Sequence, residues 1–146
     1  MKLEPIKIEL QTQWMEIYPY SMCLDDIFFR VRNSNGDLLY ELLLTTHQFE
    51  NIIYDFFKNF RNLNNESFVY KYYDRDYNGE NIEWANRTEE NIKVPEFLQM
   101  LINIESKICV VGHIQNEYLK KAYIELREIC KYAIITNNHF FVFIDN

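Results

Sequence analysis

Asn35-Gly36 lies between two runs of alternating apolar residues, and no other stretch constrains the chain as tightly. Asn-Gly suits a two-residue type I′ turn, because both central positions need φ > 0, and it is the strongest short-range hairpin signal. The predicted register sets Ser34 opposite Asp37, Val31 opposite Tyr40, Arg30 opposite Glu41, Phe29 opposite Leu42 and Ile27 opposite Leu44. One face then gathers Ile27, Phe29, Val31, Leu38, Tyr40, Leu42 and Leu44, and the other carries the opposite-charge pair Arg30 and Glu41. A slip of one residue would turn the apolar set to water, so the register is firmly specified.

The second strand runs straight into a helix start. Thr45 with Gln48 three residues on has the form of a capping box, and Leu44 and Phe49 stand where a hydrophobic staple would. Phe49, Ile52, Ile53, Phe56, Phe57, Phe60 and Leu63 follow in steps of three and four, which predicts one helix with a buried face. The block from Ile27 to Leu63 therefore reads as the scaffold of the fold.

On the N-terminal side, Ile6, Ile8 and Leu10 alternate with charged residues, and the alternation continues through Trp14, Glu16 and Tyr18. Three strands are thus expected before the first helix. Ser67 to Tyr73 is aromatic and β-prone, and Asn78-Gly79 predicts a second hairpin. That hairpin would set Tyr77 opposite Glu80, Arg75 opposite Ile82, Asp74 opposite Glu83 and Tyr73 opposite Trp84. Pro95 and Glu96 suit the first turn of a second helix, continued by Phe97, Leu98, Leu101, Ile104 and Ile108. Lys107 to Val111 fits a last turn or a short strand equally well. A third helix is expected from about Asn116 to Tyr132, with Leu119, Ala122, Tyr123, Leu126, Ile129, Cys130 and Ala133 on its apolar stripe. Its other face mixes both charge signs and reads as solvated. Phe140 to Ile144 is apolar on both faces, which predicts an interior strand covered on both sides. The expectation is a single globular α+β domain over residues 1–146, with a mostly antiparallel sheet and about three helices packed chiefly on one face. The expected order is β-β-β-α-β-β-α-α-β.

Net charge narrows the function. The chain carries −7, and nucleic-acid affinity comes largely from neutralising phosphates with Lys and Arg, so nucleic acid is not an expected partner. An anionic membrane surface is disfavoured for the same reason. A basic protein partner would be attracted and its on-rate raised. Three widely spaced cysteines make no disulfide framework. Met1 to Leu10 lacks the continuous apolar run of a signal peptide, and no stretch is long enough to span a bilayer, so the cytoplasm is the expected location. The sequons at Asn65 and Asn86 then lack a secretory context.

Motifs for chemistry are sparse. Asp74-Arg75-Asp76-Tyr77-Asn78-Gly79 matches positions 1, 3, 5 and 6 of an EF-hand loop, but the twelfth position, which should supply a bidentate Glu, is Ala85. Cys109 and His113 are four apart, but two ligands do not make a zinc site, and Gly112 argues against a helix there. There is no G-x-S-x-G, G-x-G-x-x-G or P-loop motif. No cofactor, metal or catalytic residue is expected, and the chain reads as a non-enzyme.

The second hairpin is the better candidate for function. Its register puts Asp74 opposite Glu83 with Asp76 on the same face, and like charges across a ladder are destabilising unless a partner offsets them. Tyr70, Tyr72, Tyr73, Tyr77 and Trp84 surround the acids, and Tyr and Trp are enriched at interface hot spots. Residues 1–26 and 66–93 each carry a net −3, so the acid excess is concentrated, and one of its centres is this segment. The expected partner-binding residues are Tyr70, Tyr72, Tyr73, Asp74, Asp76, Tyr77, Glu80, Glu83 and Trp84. The expected function is that of an acidic stoichiometric inhibitor, such as an immunity or antitoxin protein masking a basic, nuclease-like toxin domain. Two alternatives stand beside it: a small enzyme or ligand-binding domain with a pocket between sheet and helices, and a structural subunit or homodimer.

Overall fold

A computed structural model describes residues 4–17, 25–57, 62–64, 67–77, 93–105 and 114–145. Strand β1 (Ile6–Glu9) leads to helix α1 (Gln11–Ile17), then to strands β2 (Asp26–Arg32) and β3 (Leu38–Thr45). Helices α2 (Thr46–Ile52), α3 (Tyr54–Phe57), α4 (Phe68–Tyr77), α5 (Val94–Asn103) and α6 (Ile114–Thr136) follow, and β4 (His139–Asp145) ends the order. The fold is α+β with a four-stranded mixed sheet in the order β1-β3-β2-β4. β1 runs parallel to β3, while β2 is antiparallel to both β3 and β4.

The first hairpin keeps the expected register from Ile27 to Val31, but the expected pair of Ser34 with Asp37 does not form. Val31 faces Tyr40, Arg30 faces Glu41, Phe29 faces Leu42 and Ile27 faces Leu44, but Arg32 faces Leu38. The loop holds three residues rather than two. Gly36 N–H donates to the Asn33 carbonyl (3.0 Å) and Asn33 N–H to the Asp37 carbonyl (3.1 Å). Gly36 takes φ +83°, the left-handed position that closes such a loop. The Asn33 side-chain oxygen accepts from the N–H groups of Asn35 and Asp37 and fixes the turn. The extra loop residue shifts the pairing by one, and a bulge at Leu39 shifts it back. The strong alternation of the strands overrides the local turn type.

Thr45 is the helix cap that its sequence implies: its hydroxyl accepts the Gln48 N–H at 2.9 Å. The expected single helix breaks at Ile53, however, where Phe56 N–H donates to the Ile53 carbonyl in a tight turn between α2 and α3. Two further corrections concern segments read as strands. Residues 11–17 form α1, entered as Trp14 N–H donates to the Leu10 carbonyl (3.3 Å). Residues 68–77 form α4.

The inner sheet face and the helices share one core. Ile27, Phe29, Val31, Leu42 and Leu44 meet Phe49, Phe97, Leu101, Leu126 and Ile129, with Phe140, Val142 and Ile144 of β4 in the same cluster. Burying each such side chain is worth about 1.5–3 kcal/mol. The expected α6 stripe is the buried one, and α6 closes on Asn137, whose φ of 53° fits a left-handed cap. Asn138 N–H reaches back to the Ala133 carbonyl (3.0 Å) and Asn137 N–H to that of Ile134 (3.2 Å), which completes a Schellman motif. The opposite face of α6 is less solvated than expected, because Glu125 accepts from the Tyr40 hydroxyl (3.1 Å) and Arg127 pairs with Glu105 (2.7 Å).

β4 is a sheet edge among the described residues, not an interior strand. Its inward residues are buried, but Phe141 and Phe143 are only half-buried. They lie on the outer face, where the Arg30 guanidinium covers the rings of Phe28 (4.5 Å) and Phe143 (5.5 Å) while its Nε donates to Glu41 Oε2 (2.8 Å).

Candidate functional site

The expected binding segment begins on α4. Ser67 is buried and acts as its cap: the Ser67 hydroxyl accepts the Tyr70 N–H (3.3 Å), and the Ser67 carbonyl takes the Lys71 N–H (3.1 Å). Phe68, Val69 and Tyr72 then fall on one helical face and enter the core. Phe68 lies edge-on to Phe97 (5.1 Å) and Tyr72 edge-on to Phe49 (5.0 Å), arrangements that aromatic quadrupoles favour. This packing outweighs the β-propensity of the aromatics. The pairing of Tyr73 with Trp84 and of Asp74 with Glu83 is overturned for the same reason, because residues 73–77 are helical. The helix likewise takes Asp74 to Tyr77 out of the EF-hand loop geometry.

The nine candidate residues therefore divide. Tyr72 is fully buried and its hydroxyl donates to Glu50 Oε1 at 2.9 Å, so it anchors α4 to α2. Tyr70 is half-buried. Tyr73, Asp74, Asp76 and Tyr77 lie on the α4 backbone, and their side chains fall outside the described set. Glu80, Glu83 and Trp84 lie outside the described residues, as do Cys109 and His113.

The structure adds an acidic corner that sheet order alone reveals. Asp26 on β2, next in sequence to Asp25, stands opposite Asp145 on β4. Partial burial, then the charge of Asp145 and that of Asp25, hold the Asp26 carboxyl above the usual carboxylate range. Asp25-Asp26 leads into the first hairpin in the sequence; its meeting with Asp145 needs the β2–β4 pairing, which no local pattern encodes.

Among the described residues, the groups capable of nucleophilic or acid–base chemistry sit as follows. Cys130 is buried on the α6 stripe, and burial pushes its thiol far up, away from thiolate. His47 is exposed and edge-on to the Trp14 ring (5.7 Å), and His139 is exposed at the start of β4. Tyr40 is held protonated by burial and by the neighbouring carboxylates of Glu125 and Glu128. Among the described residues, no helix is long and apolar enough to cross a membrane. No protein-family model, curated protein or solved structure matches the chain.

Proposed function

We propose that the protein is a non-enzymatic, acidic binding domain that acts in the cytoplasm as a stoichiometric inhibitor of a basic protein, in the manner of an immunity or antitoxin protein. The observation that carries this reading is the concentration of acid and aromatics in one segment. Residues 66–93 hold a net −3 of the chain's −7, together with Tyr70, Tyr73, Tyr77 and Trp84. Carboxylates from Asp74, Asp76, Glu80 and Glu83 would take the place of phosphates in a basic cleft, and the aromatics would supply rigid contact area. Tyr72 has a different part in this reading from the one its residue type suggests. It pins α4 to the core, so that the segment is presented from a rigid base. The net charge would steer the partner in, with a strongly salt-dependent on-rate.

The test is co-expression of the tagged chain with the products of adjacent open reading frames, followed by binding and neutralisation assays. A basic partner held at one-to-one ratio, lost on Asp74→Lys with Trp84→Ala, is the expected result. Absence of a basic partner, or affinity unchanged in the double variant, refutes the reading.

A further inference from the structure

Among the described residues, the two edges of the sheet are protected very differently. β1, at one edge, is four residues long, follows Pro5 and carries Lys7, features that discourage further strand pairing. β4, at the other, is seven residues long, reads His-Phe-Phe-Val-Phe-Ile-Asp, and has no Lys, Pro or Gly. An apolar edge of that length is a template for another strand unless something covers it. Its sequence also says which strand fits.

We propose that β4 pairs antiparallel with β4 of a second copy of this chain, about a two-fold axis at Val142, to join two four-stranded sheets into one. Around that axis His139 stands opposite the partner copy's Asp145, Phe140 opposite Ile144, and Phe141 opposite Phe143. All seven residues are paired. Every residue keeps its face, because positions related by a residue-centred axis always share parity. Moving the axis by one residue sets Asp145 or His139 against a phenylalanine and leaves part of the strand unpaired.

The neighbouring strand strengthens the match. Within one chain the Asp145 end of β4 is electrostatically ill-suited to β2, and the other end lies beside a cation. Arg32 stands beside His139, and Asp26 stands beside Asp145. The two-fold brings the acidic end of one copy beside the Arg32 and His139 end of the other. One row of the joined sheet reads Arg32, His139, then Asp145 and Asp26 of the second copy, with strands about 4.8 Å apart. The next row on that face reads Arg30, Phe141, then Phe143 and Phe28 of the second copy, which continues the cation and aromatic stacking already present on the outer face. His139 and Asp145 are both exposed in the single chain, where a second copy can reach them. Self-pairing of this kind is isologous, as a two-fold requires.

The experiment is sedimentation equilibrium of the full chain over about 1–100 μM, a range that brackets modest self-affinities. A monomer–dimer equilibrium is expected. Asp145→Lys sets a lysine against His139 across the axis, and His139→Asp sets an aspartate against Asp145. Each change counts twice in the dimer and should weaken it about tenfold. Within one chain the same changes create opposite-charge neighbours, since the introduced lysine lies beside Asp26 and the introduced aspartate beside Arg32. Neither should therefore impair folding, which circular dichroism checks. In an equimolar mixture of the two variants, the introduced aspartate of one copy meets the introduced lysine of the other. The native His139 and Asp145 face each other at the far end of the same ladder. The mixture should thus recover wild-type affinity as a heterodimer. As a second measurement on the unaltered chain, amide exchange in β4 should slow as concentration rises. A wild-type monomer throughout the range, a dimer indifferent to both substitutions, a mixture no tighter than the single variants, or exchange in β4 independent of concentration overturns the proposal. None of these outcomes bears on the inhibitor reading, which rests on residues 66–93.

Discussion

Tyr72 is the residue at which core and candidate site compete, and its replacement separates the two. The ring is fully buried, edge-on to Phe49 at 5.0 Å and tilted against Phe68 at 6.3 Å. Truncating a buried aromatic to Ala costs about 3–5 kcal/mol, which includes the cavity it leaves. Tyr72→Ala should therefore remove about 4 kcal/mol, a large share of the roughly 5–15 kcal/mol that holds a domain together. Tyr72→Phe keeps the ring and loses the hydroxyl bond to Glu50. Glu50 is half-buried, so water can take over its carboxylate, and the cost should fall to about 1 kcal/mol.

Urea unfolding followed by far-UV circular dichroism measures both values. The two variants should lower the midpoint with the slope unchanged, since neither alters the surface exposed on unfolding by much. In a thermal scan the Phe variant should lose roughly 3 °C, given about 2–4 °C per kcal/mol for a domain near this size. Glu50→Gln alone and combined with Tyr72→Phe closes a double-mutant cycle, with an expected coupling of about 1 kcal/mol. A Tyr72→Ala variant within about 1 kcal/mol of wild type would refute the reasoning, because a core position cannot tolerate a cavity of that size. In that case the ring would belong to a surface and the helical packing of α4 would be wrong.

Thr45→Ala should cost about 1 kcal/mol in the same unfolding assay, through loss of the cap on the Gln48 N–H, while Thr45→Ser should restore most of it. Cys130 should resist an aromatic disulfide reagent in the native state and react only on unfolding, because its thiol is buried; fast native labelling at Cys130 would contradict its place on the α6 stripe. Truncation after Asn138 should yield insoluble protein, since it strips Phe140, Val142 and Ile144 from the core, and a soluble, cooperatively folding truncation is the opposing result. For Asp26, the folded carboxyl is held above its unfolded value, so the native state binds its proton more tightly. The stability contributed by that proton is present at acid pH and is lost as pH rises from the unfolded value, near 3.8, through the folded one. Asp26→Asn should thus stabilise the fold at neutral pH and flatten the dependence on pH between acid and neutral, and no gain at neutral pH would remove the argument for the acidic corner.

The parts legible in sequence are those whose determinants are local or strongly periodic. The β2–β3 register is readable from alternation alone, and it survives a loop of different length because a bulge absorbs the extra residue. The Thr45 cap and the stripes of α5 and α6 are readable for the same reason. Segments 11–17 and 68–77 mislead because runs of only seven and ten residues fit either period, the second being rich in aromatics besides. The deciding signals are small: Ser67 three residues before Tyr70, and Phe68 four before Tyr72. Sheet order lies further out of reach. That β2 rather than β3 sits beside β4 depends on packing across more than a hundred residues of chain, and it is this neighbour that brings Asp145 to Asp26. Of the candidate site, Tyr72 matters for a reason that the core changes, Asp74 and Asp76 are located only as far as the α4 backbone, and Glu80 and Glu83 lie outside the described residues.

The misplacement of β4 has a cause that also explains how the outer face stays closed. Apolar residues on both sides of a strand usually mean cover on both sides. Among the described residues, the cover over Phe143 is a side chain from the neighbouring strand. Arg30 lies over Phe28 and Phe143, which pack against each other at 5.9 Å, and Glu41 holds the guanidinium in place from β3. An arginine can do this because its planar head stacks on aromatic faces and is weakly hydrated, so it covers apolar area at little desolvation cost. A lysine at the same position would keep the ion pair and lose the planar stacking. Patterning by polarity counts Arg30 as polar and so leaves the two rings without a cover. The geometry makes the arginine part of the cover itself, which is how an edge strand comes to carry the composition of an interior one.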